Sequence, residues 1–315
     1  MRGRVVRNDT KLGNVERGVS TTGSKEPLVT IGVPVYNGER FMRQSLDALL
    51  AQTYTDFALV ISDNASTDRT GAICKEYVDR DSRVRYFRNE QNIGLSANFN
   101  RVFELSNSKY LKWSTSNDLV APDMLGDAVA VMEGDPSIAL CYPKTILMNE
   151  DGQETGCYDD RLQLMEDDPV ARYVTFLKNV RLCHQHQGLI RTEMLRRTSL
   201  LSQHTDSDIN LLAELSLYGK FFEVPKYQFF RRFHADASSA DRNSRHQARH
   251  YYSSRVARLN LSSYRFHLAF VKGVLRGPLT IRQKSRLIRV LVKRIYWDKH
   301  LLKEPFEDLR AILKR

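Results

Sequence analysis

Leu28-Val29-Thr30-Ile31-Gly32-Val33-Pro34-Val35-Tyr36-Asn37 is an apolar, β-branched run that stops at Asn37-Gly38, and it reads as a buried strand. The segments C-terminal to it set the fold class. Residues 39–53 carry Phe41, Met42, Leu46, Leu49 and Leu50 at helical spacing. Residues 57–62 form a second strand, bounded by Asp63-Asn64-Ala65-Ser66, and 68–79 a second helix. The alternation continues with strands at 84–87, 110–113 and 138–148 and helices at 95–105 and 122–132. Strands alternating with helices of this length predict βαβ units, hence an α/β fold with a mainly parallel sheet flanked by helices. Ligands bind such sheets beyond the carboxyl ends of the strands. Tyr36-Asn37, Asp63-Asn64 and Ser116-Asn117-Asp118 each come directly after a strand, so polar residues gather where that rule asks for them.

Several function classes drop out. The first strand-to-helix turn has only Gly38, with neither a G-x-G-x-x-G nor a G-x-x-x-x-G-K-[ST] signature, which argues against dinucleotide and P-loop folds. No run reaches the roughly 18 apolar residues of a spanning helix. Residues 1–25 lack an apolar signal core and read as a disordered basic tail. Cys74, Cys141, Cys157 and Cys183 are widely spaced, which suits a reducing cytoplasm better than a disulfide framework. The net charge of +11 over 315 residues is uneven: +4 in 1–25, −7 in 26–240 and +14 in 241–315. An acidic middle disfavours a chain-wide nucleic-acid surface.

Four blocks then carry a resemblance. Val33-Pro34-Val35-Tyr36-Asn37-Gly38-Glu39, Ser62-Asp63-Asn64-Ala65-Ser66-Thr67-Asp68, Asn92-Ile93-Gly94-Leu95 and Trp113-Ser114-Thr115-Ser116-Asn117-Asp118 resemble, in order and spacing, family 2 glycosyltransferases of the GT-A fold, over about 28–236. The resemblance implies inverting transfer of a sugar from a nucleotide-sugar, with Mg²⁺ or Mn²⁺ as cofactor. It implies that Pro34 and Tyr36 line the nucleobase and that Asp63 accepts from the base ring N–H. Asn37 and Glu39 would lie at the first-strand turn, and Asn92, Gly94 and Asn98 where the site closes on ribose and phosphate. Asp118 would hold the metal. Asn117 stands where the family usually has a second aspartate, and is expected to bond a ribose hydroxyl or offer the metal a neutral oxygen. Arg231-Arg232-Phe233-His234 resembles the Arg-x-His segment whose His can be a second metal ligand. Ser207-Asp208, ahead of 211–219, looks like the segment supplying the catalytic base, with Asp208 as base and Asp206 in reserve.

The expected organisation is a tail at 1–25, a catalytic domain at 26–240 with a nucleotide-binding half to about 120 and an acceptor half from about 121, and a basic helical extension at 241–315. The acceptor is expected to be a glycan or a lipid-linked glycan, and UDP the favoured nucleotide. Blander readings stand beside these. Asp208 can be a helix N-cap, Asp63 a turn former and His234 a hydrogen-bonded histidine. His184 and His186, two apart, suit alternate strand positions and are not read as a metal pair. Asp159-Asp160 and Glu166-Asp167-Asp168 read as solvated charges. An inactive, transferase-like binding protein is the alternative that Asn117 leaves open. The basic extension reads as a solvated helical cap, as a surface for an anionic membrane or, third, as a nucleic-acid tail. A cytoplasmic protein, peripheral on the inner face of a membrane, is the expected location.

Overall fold

A computed structural model describes residues 26–234 and 262–297 of the chain. The expected tail at 1–25, the last six residues of the expected catalytic domain (235–240), and 241–261 and 298–315 of the basic extension lie outside the described residues.

The first half obeys its periodicity. It runs β1 (Val29–Val35), α1 (Met42–Leu50), β2 (Phe57–Asp63), α2 (Thr70–Arg80), β3 (Val84–Arg88), α3 (Leu95–Glu104) and β4 (Tyr110–Trp113). These strands pair in parallel in the order β3-β2-β1-β4. The second half comprises β5 (Leu119–Val120), α4 (Met124–Gly134), β6 (Ile138–Met148), β7 (Glu154–Tyr158), α5 (Pro169–Asn179), a 3₁₀ turn (His184–Gln187), β8 (Leu189–Arg191), α6 (Thr192–Leu195), α7 (Ser207–Leu215) and β9 (Lys220–Arg232). Here the sheet is mixed. β8 enters antiparallel to both β4 and β6, β9 runs parallel to β6, and β5 and β7 join antiparallel at the margins. The expected mainly parallel arrangement holds: the first half is wholly parallel and β6 with β9 adds a long parallel pair, while antiparallel partners enter in the second half.

Each sheet face buries its own core. Val29, Ile31, Val33 and Val35 of β1 pack with α1, α2 and α4 on one side. On the other, Trp113 and Leu111 meet Val102 of α3 and residues of α5 and α7. Gly32 allows α3 onto the sheet: a Cβ there would lie 1.9 Å from Cγ1 of Val102. Two further helices, α8 (Ser262–Arg276) and α9 (Ile281–Trp297), complete the second core. Phe270, Val274, Leu287 and Leu291 share it with Leu211, Leu212 and Leu215 of α7. Arg276 Nη1 donates to the buried Glu214 at 2.9 Å, and Asn210 Nδ2 to the carbonyl of Phe266 at 3.0 Å. The described part of the basic extension is thus packed onto the helix that begins at Ser207.

Candidate active site

A cavity of about 400 Å³ opens beyond the carboxyl ends of β1 and β4, where the fold class places a ligand. Its first wall is the turn after β1. Asn37 there has φ 50, and its Oδ1 accepts from Thr67 N at 2.8 Å while its own N–H donates to Ser66 Oγ at 2.9 Å. Gly38 N donates to Thr70 Oγ1 at 2.8 Å, so the turns after β1 and β2 are stapled together. Glu39 serves the same staple: its Oε2 accepts from Arg69 N at 2.8 Å. Asp63 is fully buried behind this wall, accepting from Ser66 N (2.8 Å), Tyr86 Oη (2.7 Å) and Arg88 Nη1 (2.6 Å).

An amide network forms the second wall. Asn64 Nδ2 donates to Asn92 Oδ1 at 2.8 Å, and Asn98 Oδ1 accepts from Ser62 Oγ (2.7 Å) and Asn89 Nδ2 (3.0 Å). Asn92 Oδ1 also takes the N–H of Gly94 at 2.9 Å, and Gly94 enters α3 at φ 90, a conformation that favours glycine. Of the expected nucleotide residues, Pro34, Tyr36, Asn37, Asn92, Asn98 and Asn117 line the cavity. Glu39, Asp63 and Gly94 do not reach its lining and shape it from behind.

The third wall joins β4, β5 and β9. Asp118 is buried, and its Oδ2 accepts from Thr115 Oγ1 at 2.5 Å and its Oδ1 from Arg232 N at 2.9 Å. Burial outweighs these bonds and raises its pKa above the usual carboxylate value. Asn117 Nδ2 lies 3.2 Å from His234 Nε2, which brings three of the expected residues into one cluster. Arg232 locks the cluster. Its guanidinium donates to Asn117 O (3.0 Å), Glu150 O (2.7 Å) and Gln44 Oε1 (2.7 Å) and lies over the Phe41 ring, with Cζ 4.7 Å from the centroid. A carboxylate beside an imidazole and an amide is a donor set that suits Mg²⁺ or Mn²⁺. Among the described residues no three His, Cys, Asp or Glu side chains gather around one point, so diphosphate oxygens would have to complete the shell.

Asp208 faces the same cavity from the first turn of α7. The N-cap position belongs to Asp206, so the capping alternative for Asp208 does not hold. Burial by surrounding protein raises the Asp208 pKa, against the opposing N–H of Ile209 at 3.0 Å. Asn37, Cys183 and Asp206 all line the cavity and are all non-glycine residues at positive φ (50, 58 and 59). Backbone strain of this kind concentrates at functional sites.

Two features escaped the sequence. His184 and His186 occupy a 3₁₀ turn rather than a strand, and His186 stacks on the buried Trp113 at 4.9 Å. Burial pushes His184 down to about 3 and His186 down to about 4. Asp160, expected to be solvated, is instead buried, with Oδ2 3.9 Å from His184 Nδ1. Desolvation lifts its carboxyl to about 7. Asp159 is only partly covered and pairs with Lys144 at 2.8 Å. Adjacent acids in sequence thus point to opposite environments, and no local pattern announces which goes inside.

Comparison with known proteins converges on one family. The model described as glycosyl transferase family 2 matches residues 30–203. A glycosyltransferase of Streptococcus pneumoniae serotype 4, GlyA, is 38% identical over 95 residues, 30% of this chain, and the match covers 14% of that longer protein. TarS of S. aureus (residues 1–349, in complex with UDP) superposes with a TM-score of 0.61 at 16% identity, over 87% of this chain and 73% of that one. The mannosyltransferase PcManGT of Pyrobaculum calidifontis, in complex with GDP-Man and Mn²⁺, gives a TM-score of 0.50 at 14% identity, over 92% and 88%.

Proposed function

The chain belongs to glycosyl transferase family 2 and has the GT-A fold, and from that premise we propose that it transfers a sugar, with inversion, from a UDP-sugar to a hydroxyl of a glycan or lipid-linked glycan in surface polysaccharide or glycoconjugate biosynthesis. The observation that carries this reading is that one cavity gathers the β1 turn, the Asn117–Asp118–His234 cluster and Asp208. Pro34, Tyr36 and Asn37 bind the nucleoside end of the donor, and Asn92 and Asn98 close on ribose and phosphate. Asp63, Glu39 and Gly94 hold those turns in shape. Asp118 and His234 would hold Mg²⁺ or Mn²⁺, whose charge offsets that of the leaving diphosphate. Asn117 orients the imidazole of His234 and faces the ribose.

Asp208 removes the acceptor hydroxyl's proton as that oxygen attacks the anomeric carbon from the face opposite the diphosphate. Its raised pKa makes it a stronger base than an exposed aspartate once ionised. Asp206 is the reserve base. A calorimetric titration with UDP, GDP and dTDP in the presence of Mn²⁺ tests the donor site, and Asp118→Ala is expected to abolish the metal-dependent part of binding. Absence of binding to every nucleotide diphosphate would defeat the reading. The second reading, an inactive binding protein, rests on Asn117 in place of an acidic residue. Turnover of donor with acceptor by the natural protein ends it, whereas turnover that appears only in Asn117→Asp establishes it.

A further inference from the structure

Residues 262–297 contain nine Lys and Arg and no Asp or Glu. Seven of those cations fall into two sets. Arg276 is bound to Glu214, Arg294 donates to the carbonyl of Leu177, and Lys284 donates to the carbonyl of Leu275, so these three fasten the α8–α9 hairpin to itself and to the body. Arg282, Arg286, Arg289 and Lys293 are exposed on α9, and none has an acidic partner among the described residues. At 100° per residue they occupy one band of the helix, away from the buried Leu287 and Leu291.

Apolar side chains run beside that band. Ile281, Val292 and Tyr296 are exposed on α9, Ile281 to 87%. Their spacing places them on one stripe, flanked by the four cations. On α8, Tyr264, Leu268 and Leu275 are exposed at i, i+4 and i+11, again one stripe. Of the nine large apolar side chains exposed among the described residues, six therefore lie in this hairpin. Isolated exposed apolar residues need no explanation, but stripes of them edged with cations and free of acids do.

We propose that the α8–α9 hairpin docks the protein on an anionic lipid bilayer, with its apolar stripes entering the headgroup boundary and Arg282, Arg286, Arg289 and Lys293 meeting lipid phosphates. A helix with an apolar stripe flanked by cations lies in the plane of a bilayer interface. No described helix is long and apolar enough to cross one. The hairpin also packs on α7 through a shared core, so docking would orient the helix bearing Asp208, and with it the cavity, relative to the lipid.

Flotation of the full chain tests this without donor or acceptor, so its outcome is independent of the transferase reading. Vesicles of phosphatidylcholine alone are compared with vesicles containing phosphatidylglycerol, at low and high ionic strength. Preferential, salt-sensitive flotation with the anionic vesicles is expected. Each near-surface cation raises partition about fivefold, so the quadruple variant Arg282→Gln, Arg286→Gln, Arg289→Gln, Lys293→Gln is expected to lose binding by about 600-fold. Its circular dichroism melt should match the natural protein's, because all four side chains are exposed. Ile281→Ser with Val292→Ser is expected to weaken binding while leaving its salt dependence. Equal flotation on both vesicle types, or an unchanged quadruple variant, overturns the proposal. So does transfer RNA binding that is lost in the quadruple variant while no flotation on anionic vesicles is seen, since the surface would then be a nucleic-acid site.

Discussion

Replacing Arg232 with alanine is the sharpest test of how the metal-side cluster is built. Its guanidinium is buried and makes three hydrogen bonds, to Asn117 O, Glu150 O and Gln44 Oε1. Hydrogen bonds from a charged group contribute about 1.5–3 kcal/mol each. The variant also removes the cost of burying the charge and lets water reach acceptors at the cavity edge, so the net loss is expected at about 3–5 kcal/mol. Arg232→Lys keeps the charge but cannot span three acceptors, and should lose about half as much. Urea denaturation measures the stability term, and calorimetric titration of UDP with Mn²⁺ the functional one. Since the Arg232 side chain holds the carbonyl of Asn117, next to Asp118, nucleotide affinity is expected to fall at least tenfold in the alanine variant, about 1.4 kcal/mol. An alanine variant within about 1 kcal/mol of the natural protein, with unchanged nucleotide binding, would refute the idea that this side chain positions the cluster.

Three further outcomes are expected. Asp208→Asn should retain UDP binding and lose transfer; in the natural protein the acid limb of kcat/KM should lie above the ordinary aspartate value of about 3.9, because the base form disappears as pH falls through the raised pKa. Asp160 has a folded pKa raised to about 7, so its contribution to stability is complete at low pH and is lost as pH rises through about 7. Asp160→Asn should therefore stabilise the protein at pH about 8, by on the order of 4 kcal/mol, and change little at pH about 4, as read by denaturation midpoints. Gly32→Ala places a methyl group against Val102 and should cost about 1–3 kcal/mol, visible as a lowered Tm; an unchanged Tm would mean that α3 shifts freely off the sheet.

The legible part of the fold is the part with long local periods. The strand at 138–148 matches the bounds of β6, and the helices at 39–53, 68–79 and 95–105 contain α1, most of α2 and α3. The second half resisted because its signals are short or interrupted. β8 has three residues, too few for a period, and β9 carries Pro225 and shifts register against β6 around Pro143 and Lys144. At the site, blocks placed just after strands were legible, whereas the meeting of Asn117 with His234 spans 117 residues and depends on β9 returning beside β6. Arg232 lies inside the Arg231–His234 segment, yet nothing local marks it as the residue that ties β9 to α1. Asp160 shows the same limit from the other side: its neighbours look like a solvated acidic loop, and only tertiary packing puts it indoors.

The juxtaposition of Asp160 and His184 has a consequence for proton traffic. Burial favours the neutral form of both, the carboxyl by keeping its proton to about pH 7 and the imidazole by refusing one until about pH 3. Between pH about 4 and about 6.5 the unfolded chain prefers the reverse, an ionised carboxylate and a protonated imidazole. Unfolding in that window hands one proton from Asp160 to His184 and, for this pair, exchanges none with solvent. Two groups that would each tilt the pH–stability curve, in opposite senses, leave it flat there. The fold therefore holds back a charge separation that emerges only on unfolding, and unfolding heats measured in buffers of different ionisation enthalpy should agree across that range as far as this pair is concerned.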